Sequence, residues 1–196
     1  EDEVLNNEGN NTKSDSYIAV NIVNPSAASS RAADDANGTD EENTVNNALF
    51  VFFNDNGEYV DASEVAANEF EWTEGSGPAS KISNAVIVLS EPSTYPTSVL
   101  ALLNTNMKVS DVNGKSLSQI QEIVADYSDT TNGFVMSNSV YKDGKEVVAT
   151  PLSDNNIQSS KDLAKENPVT ISVERVLAKV SVKEATSLGI AGKEGK

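Results

Sequence analysis

Carboxylates are almost the only side chains in this chain whose type and spacing could support catalysis. The 196 residues include thirty Asp and Glu but no His and no Cys, so thiol catalysis, thiolate metal sites and imidazole proton transfer are excluded. The cluster that most resembles the carboxylate pair of a glycoside hydrolase is Glu69, Glu71 and Glu74 beside Trp72. Clustering is expected among so many acids, and we predict Glu69 and Glu71 on an exposed strand face rather than in a cleft. We therefore predict that the chain is not an enzyme.

A second acidic cluster offers the oxygen ligands that a hard cation prefers. It consists of Asp34, Asp35, Asp40, Glu41 and Glu42, and its spacing does not match an EF-hand loop. A solvated run of charge is the more common meaning of such a segment. The chain also has no glycine-rich phosphate loop and no nucleophile elbow. No metal or cofactor is predicted.

The charge and hydropathy of the chain exclude two kinds of partner. A net charge of −16 opposes binding to the phosphates of nucleic acid, which depends on clustered cations. The longest apolar runs, 48–53 and 99–103, are far shorter than the roughly 20 residues of a membrane-spanning helix. The acids are concentrated before residue 75, and the polar segment 1–16 is predicted to be a disordered acidic leader.

A strand is predicted directly after this leader. Ile18, Val20 and Ile22 alternate with other residues and would point to one face, whereas Asn21 points to the other. Pro25 cannot donate a backbone hydrogen bond and ends the strand. The predicted strand consists of Tyr17, Ile18, Ala19, Val20, Asn21, Ile22 and Val23.

The segment 26–44 after this strand is much longer than the usual connection of about 2–6 residues, which favours a flexible tether. Arg31, one of only two arginines, lies within it between small residues. From composition alone a solvated charge is the more frequent role for such a residue. The sharper interpretation is a protease site between Arg31 and Ala32, because exposed loops of small residues are readily cut. Arg175 lies in a predicted strand and should be protected.

Short strands dominate the rest of the chain up to residue 183. The apolar run 48–53 and Asn56-Gly57 predict a hairpin, and further strands are predicted at 85–89, 99–103, 134–136 and 146–149. One helix is predicted from the apolar spacing that follows Ser116, a residue that begins a capping-box pattern.

The apolar positions of the last strand region, 169–182, change parity near Glu174 and Arg175. This change predicts a bulge or a corner at which the strand passes between sheets. Together the elements predict a mainly β fold, a Greek-key β-sandwich over 45–183 with one short covering helix, followed by a linker at 184–196.

Several segments, taken in their order along the chain, resemble the amino-terminal half of the fimbrillins, the major shaft subunits of Bacteroidales type V pili. The resemblance covers most of positions 17–183, and the order of the elements is more specific than any single motif. The segments that carry it are 17–23, Pro25, Arg31-Ala32, 40–45, 48–53, 133–136 and 173–180.

The resemblance implies a transthyretin-like sandwich and a route of assembly at the cell surface. Such subunits are exported as lipoprotein precursors anchored in the outer membrane, and Glu1-Asp2-Glu3 resembles the acidic sequence that follows the lipidated cysteine. An arginine-specific protease would cut after Arg31 and leave Ala32 as the first residue. The strand 17–23, which until then blocks a sheet edge, would be replaced by a strand from a neighbouring subunit, giving a homopolymer that supports adhesion.

Two departures from the family pattern leave alternatives open. Shaft subunits have a second sandwich and a donor segment that 196 residues do not hold, so we expect a fragment or an amino-terminal domain with no assignable donor strand. The same fold also serves tip, anchor and accessory subunits. A monomeric surface lipoprotein that binds a glycan or a host protein through Trp72 or Tyr95 is the competing class.

Overall fold

The structure analysed is a computed structural model. The residues that it describes are 14–23, 45–74, 81–90, 94–125, 131, 133, 135–138, 141–142, 145–146 and 149–175. Residues 1–13 of the predicted leader, Arg31, Ala32 and the segment 176–196 lie outside the described residues, whereas Ser16 of the predicted leader already belongs to the first strand. The acidic cluster at 34–42, and with it the choice between a cation site and a solvated run of charge, also lies outside them.

Eleven strands and three helices account for most of the described residues. The strands are β1 (Ser16–Val23), β2 (Asn47–Phe53), β3 (Tyr59–Ala66), β4 (Glu71–Glu74), β5 (Lys81–Leu89), β6 (Ser98–Leu103), β7 (Met136–Asn138), β8 (Tyr141–Lys142), β9 (Lys145–Glu146), β10 (Thr150–Pro151) and β11 (Val169–Arg175). The helices are α1 (Val109–Val112), α2 (Leu117–Ala125) and α3 (Lys161–Glu166). None of the helices in the described part of the chain is long and apolar enough to span a membrane.

Nine of the strands form one sheet that is nearly closed into a barrel. Eight of them follow the order β3-β2-β6-β7-β11-β1-β5-β4, and β10 pairs with β6 beside this path. The strands β8 and β9 form a separate hairpin. The prediction of a mainly β fold is therefore confirmed, whereas the Greek-key sandwich stays a prediction.

The core lies on both faces of β2 and β6, because both strands are apolar at nearly every position. Phe50 and Phe52 face the side chains of β1, β5 and β11 across the sheet interior. Leu49, Val51 and Phe53 point the other way and pack against α1 and α2. Burial on both faces explains why 48–53 reads as a continuous apolar run rather than an alternating one.

The predicted helix is confirmed as α2, but the prediction of a single helix is wrong. The Ser116 backbone N–H donates to Gln119 Oε1 at 2.9 Å, and Ser116 Oγ accepts from the Gln119 backbone N–H at 3.4 Å. This reciprocal pair is the predicted capping box. The helices α1 and α3 have only four and six residues, which is too short for a recognisable apolar period.

The last described strand, β11, changes its partner along its length. Its residues 169–172 pair with β1, whereas Val173, Glu174 and Arg175 pair with β7. The change falls directly before the position at which the sequence predicts a corner, and the residues that complete the parity change lie outside the described part. This strand therefore links the half of the sheet that contains β1 to the half that contains β2.

Candidate functional site: the slot of the first strand

The strand β1 occupies a slot inside the sheet, between β5 and β11. It pairs antiparallel with β5 along all eight of its residues, from Ser16 opposite Leu89 to Val23 opposite Ile82. It also runs parallel to β11, from Val20 opposite Val169 to Val23 opposite Ser172. This position is compatible with the expectation that the strand covers sheet edges until it is removed, because it lies against an edge of β5 and an edge of β11. It fills the space between two strands.

The inner face of β1 belongs to the main core, and this confirms the predicted alternation. Ile18 and Val20 are 0% exposed and Ile22 is 2% exposed, and all three pack among the core side chains of β2, β5, β6 and β11. Burial of each such side chain contributes about 1.5–3 kcal/mol relative to its exposure to water. The strand is therefore held by its side chains as well as by its backbone.

The slot is flanked differently at its two ends. Near Val23 it lies between the four paired residues of β11 and the part of β5 that is itself backed by β4. Near Tyr17, one bridge to Gln158 takes the place of β11 among the residues that the structure describes. Tyr17 N–H donates to the Gln158 carbonyl at 2.8 Å, and Gln158 N–H donates to the Tyr17 carbonyl at 2.9 Å. No sequence pattern singled out Gln158.

The outer face of β1 lies under α3 and beside an open cleft. Helix α3 packs against β1, and Ala19 is buried although it points away from the main core. The cleft has a volume of about 590 Å³. It is lined by Ala19, Val20, Asn21, Glu69, Glu71, Asn84, Ala85, Val86, Lys161, Lys165 and Pro168.

The prediction that Glu69 and Glu71 lie away from any cleft is wrong, although both are exposed. The cleft arises because α3 covers β1 from a distant part of the sequence, which local patterns do not reveal. Each carboxylate has a structural partner. Glu69 Oε2 accepts from the Ala66 backbone N–H at 2.7 Å, and Glu71 Oε1 lies 3.5 Å from Lys165 Nζ. The described residues contain no group of acids that could hold a metal ion.

The two acids of the edge strand β3 have opposite electrostatic environments. Burial raises the pKa of Asp61, although its carboxylate accepts hydrogen bonds from the backbone N–H groups of Ala62 and Ser90. Ser90 directly follows β5, so Asp61 connects the edge strand to the Tyr17 end of the slot. A hydrogen bond from the Val109 backbone N–H to Glu64 lowers the pKa of Glu64, and contact with Lys108 lowers it further.

Asp61→Asn is expected to remove a pH dependence of stability. Because the folded pKa of Asp61 is raised above 3.8, the wild-type free energy of unfolding falls as the pH rises from below 3.8 through the raised value. Asparagine keeps an oxygen acceptor without the charge, so the variant should be as stable at pH 7 or more stable by less than about 1 kcal/mol. Urea unfolding at several pH values between acid and neutral measures the difference.

Glu64→Gln is the matched control for this change. Because the pKa of Glu64 is lowered, its contribution is present above 4.5 and is lost as the pH falls through the folded value, which is the opposite sign. An unchanged pH slope in the Asp61→Asn protein would contradict the burial of this carboxylate.

Of the side chains predicted to matter, the structure brings the strand residues 17–23 together in the slot. Tyr95 lies on the connection between β5 and β6 and is 63% exposed. The side chain of Trp72 lies outside the described residues.

Comparisons with known proteins assign the chain to the class of fimbrial proteins. The family model described as major fimbrial subunit protein (FimA) matches residues 16–175, from the first residue of β1 to the last residue of β11. The chain belongs to this family. Membership indicates a pilus-related protein with a structural rather than an enzymatic role.

Solved structures with similarity to the chain are also fimbrial or adhesion proteins. A fimbrial assembly protein from Parabacteroides distasonis has 14% identity and a TM-score of 0.45, with 81% of this chain and 52% of that chain covered. The tip fimbrial protein Mfa3 from Porphyromonas gingivalis, with a C-terminal truncation, has 15% identity and a TM-score of 0.37, with 81% and 48% covered. A putative cell adhesion protein from Parabacteroides distasonis has 14% identity and a TM-score of 0.43, with 81% and 45% covered.

The chain spans about half the length of these three structures. No curated protein sequence matches it significantly.

Proposed function

We propose that this chain is the amino-terminal part of a fimbrial subunit that polymerises by strand exchange. In this proposal the subunit is exported as a lipoprotein precursor, cleaved after Arg31, and joined to its neighbour when a strand of that neighbour takes the place of β1. The observation that carries the proposal is the position of β1, which is continuous with the tether that holds Arg31 and is enclosed between β5 and β11.

The slot is suited to exchange because every interaction that holds β1 can be made by another strand. The flanking strands β5 and β11 offer backbone donors and acceptors, which pair with any extended chain. The core beneath β1 accepts an apolar side chain at every second position. An unfilled slot of this kind favours pairing with another molecule. While the tether is intact, the high effective concentration of β1 keeps the slot filled. Cleavage removes this advantage and permits replacement.

The partners and the location follow from the same proposal. The partners are other fimbrial subunits and an arginine-specific surface protease, and the precursor contacts the membrane through its lipid anchor. The mature subunit lies in the cell-surface fimbrium, where it supports adhesion. The Greek-key, transthyretin-like sandwich is the architecture that this role implies, and the shaft is the position within the fibre that the family description favours.

Arg31→Ala in the full-length protein of the producing cell is expected to give an exported, uncut subunit that forms no fibres. Arg31→Lys is the control, because it keeps the positive charge but not the arginine side chain that the protease recognises. If Arg31 were only a solvated charge, the lysine variant would assemble normally. Electron microscopy of the cell surface and the intact mass of the subunit measure both effects. Fibres built from uncut Arg31→Ala subunits would contradict the proposal.

A second candidate function rests on the exposure of Tyr95. A large aromatic side chain that protrudes from a loop is typical of binding surfaces, so a monomeric surface lipoprotein that binds a glycan or a host protein is the alternative. In that case the cleaved protein, mixed with a peptide of the β1 sequence, should neither take up the peptide nor oligomerise in size-exclusion chromatography.

A further inference from the structure

The strand β1 is the ladder partner on which two other segments of the sheet depend. On β5, the strand β4 pairs only with residues 81–84, so among the described residues 85–89 pair with β1 alone. On β11, the strand β7 pairs only with residues 173–175, so in the same described part 169–172 pair with β1 alone. An empty slot would therefore be flanked by two segments with no ladder partner on either side.

We infer that cleavage of the tether does not empty the slot, and that the incoming strand displaces β1 progressively from its Tyr17 end. This inference rests on the proposed function, because it describes how the exchange proposed above takes place. The cut subunit would keep β1 as a cover until a neighbouring subunit supplies the replacement.

Retention follows from what an empty slot would expose. Loss of β1 would leave unpaired backbone groups along 85–89 and 169–172, and such groups are unfavourable when they lack both water and a partner. It would also uncover the apolar side chains that pack against Ile18, Val20 and Ile22. A cut in the tether changes none of these contacts, because the tether joins β1 beyond Val23.

The direction of displacement follows from the difference between the two halves of the slot. The Val23 half lies between β11 and residues 81–84 of β5, and these residues of β5 also pair with β4 on their other side. Among the described residues, the Tyr17 half lies between the part of β5 that has no second ladder partner and the one bridge to Gln158. Fewer interactions must break for residues 16–19 to leave than for residues 20–23. An incoming strand can pair there first while the other half stays filled.

The direct test is exchange kinetics in the cut precursor. The purified full-length precursor is treated with an arginine-specific protease, and the product whose only break follows Arg31 is selected by mass. Size-exclusion chromatography and native mass spectrometry are expected to show that the β1 fragment stays bound after the cut. A labelled peptide of residues 14–23 is then added, and its uptake is followed over time.

Two matched variants of the bound strand report the direction. Ile18→Ala and Ile22→Ala remove the same atoms from the same core, near opposite ends of β1. If residues 16–19 have already left the slot in the rate-limiting transition state, Ile18→Ala destabilises the bound state but not this transition state. Uptake of the peptide should then be faster by about tenfold or more. Ile22→Ala destabilises both states equally and should change the rate by less than about threefold.

Hydrogen exchange of the wild-type cut protein gives the same information if a variant fails to fold. Amides of 86–89 that bond to β1 are expected to lose protection before those of 82–85. A faster opening at 82–85, or a larger rate increase for Ile22→Ala, would overturn the direction.

The two proposals fail in distinguishable ways. Immediate loss of the β1 fragment on cutting would overturn its retention, but would leave exchange of the strand intact. A retained fragment that never gives way to excess peptide would overturn the proposed function itself. Uptake with the predicted order of rates supports both.

Discussion

Val20→Asp is expected to lower the free energy of unfolding by about 3 kcal/mol or more, since it places a charge without a partner in the core. Val20 is 0% exposed and lies between Ala85 of β5 and Val169 of β11. A typical domain has only about 5–15 kcal/mol of stability, so this loss leaves much of the protein unfolded. Urea unfolding followed by circular dichroism measures it.

Asn21→Asp is the control for this prediction. Asn21 is the next residue of the same strand, is half-buried, and lines the open cleft on the outer face. Water reaches that face, so the added charge should cost about 1 kcal/mol or less. Equal effects of the two variants would contradict the assignment of inner and outer faces to β1.

Asn138→Ala is expected to destabilise the fold by about 3 kcal/mol, because Asn138 is a buried side chain with three hydrogen bonds. Its Oδ1 accepts from the Ala101 backbone N–H at 2.6 Å, and its Nδ2 donates to the Val99 carbonyl at 3.1 Å and to Thr150 Oγ1 at 2.7 Å. These bonds replace the ladder where β6 changes its partner from β7 to β10. Truncation leaves buried backbone groups of β6 unpaired.

Ser137→Ala is the matched control, since Ser137 is half-buried and adjacent in β7, and the substitution leaves its backbone pairing in place. We expect a change of less than about 1 kcal/mol. Thermal unfolding of the two variants gives the comparison. A small effect of Asn138→Ala would mean that the change of partner of β6 from β7 to β10 does not depend on this side chain.

Local patterns were sufficient to predict the elements of the slot but not their arrangement. The alternation of Ile18, Val20 and Ile22 identifies β1 and its inner face, because a strand with one buried face has a period of two. The same alternation is compatible with an edge strand or an inner strand. The parallel partner β11 lies about 150 residues away in the sequence, and no turn signal connects the two.

Local sequence patterns also did not predict the cleft beside β1. Glu69 and Glu71 are exposed as predicted, but they line a cleft because α3 packs across β1 from the far end of the chain. A helix of six residues has no periodic signature, and Gln158 bonds to Tyr17 through its backbone, which any residue type can do. The function could therefore be predicted only from the family resemblance, which rests on the order of the segments along the chain. That β1 lies between β5 and β11 is visible only in the structure.

The amino-terminal residue of the subunit recovered from assembled fibres tests the central claim most directly. Edman sequencing or intact-mass measurement of washed fibres should give a subunit that begins at Ala32, with the segment 17–23 absent from the fibre. Fibres whose subunits still contain residues 17–23, in place between β5 and β11, would contradict the account.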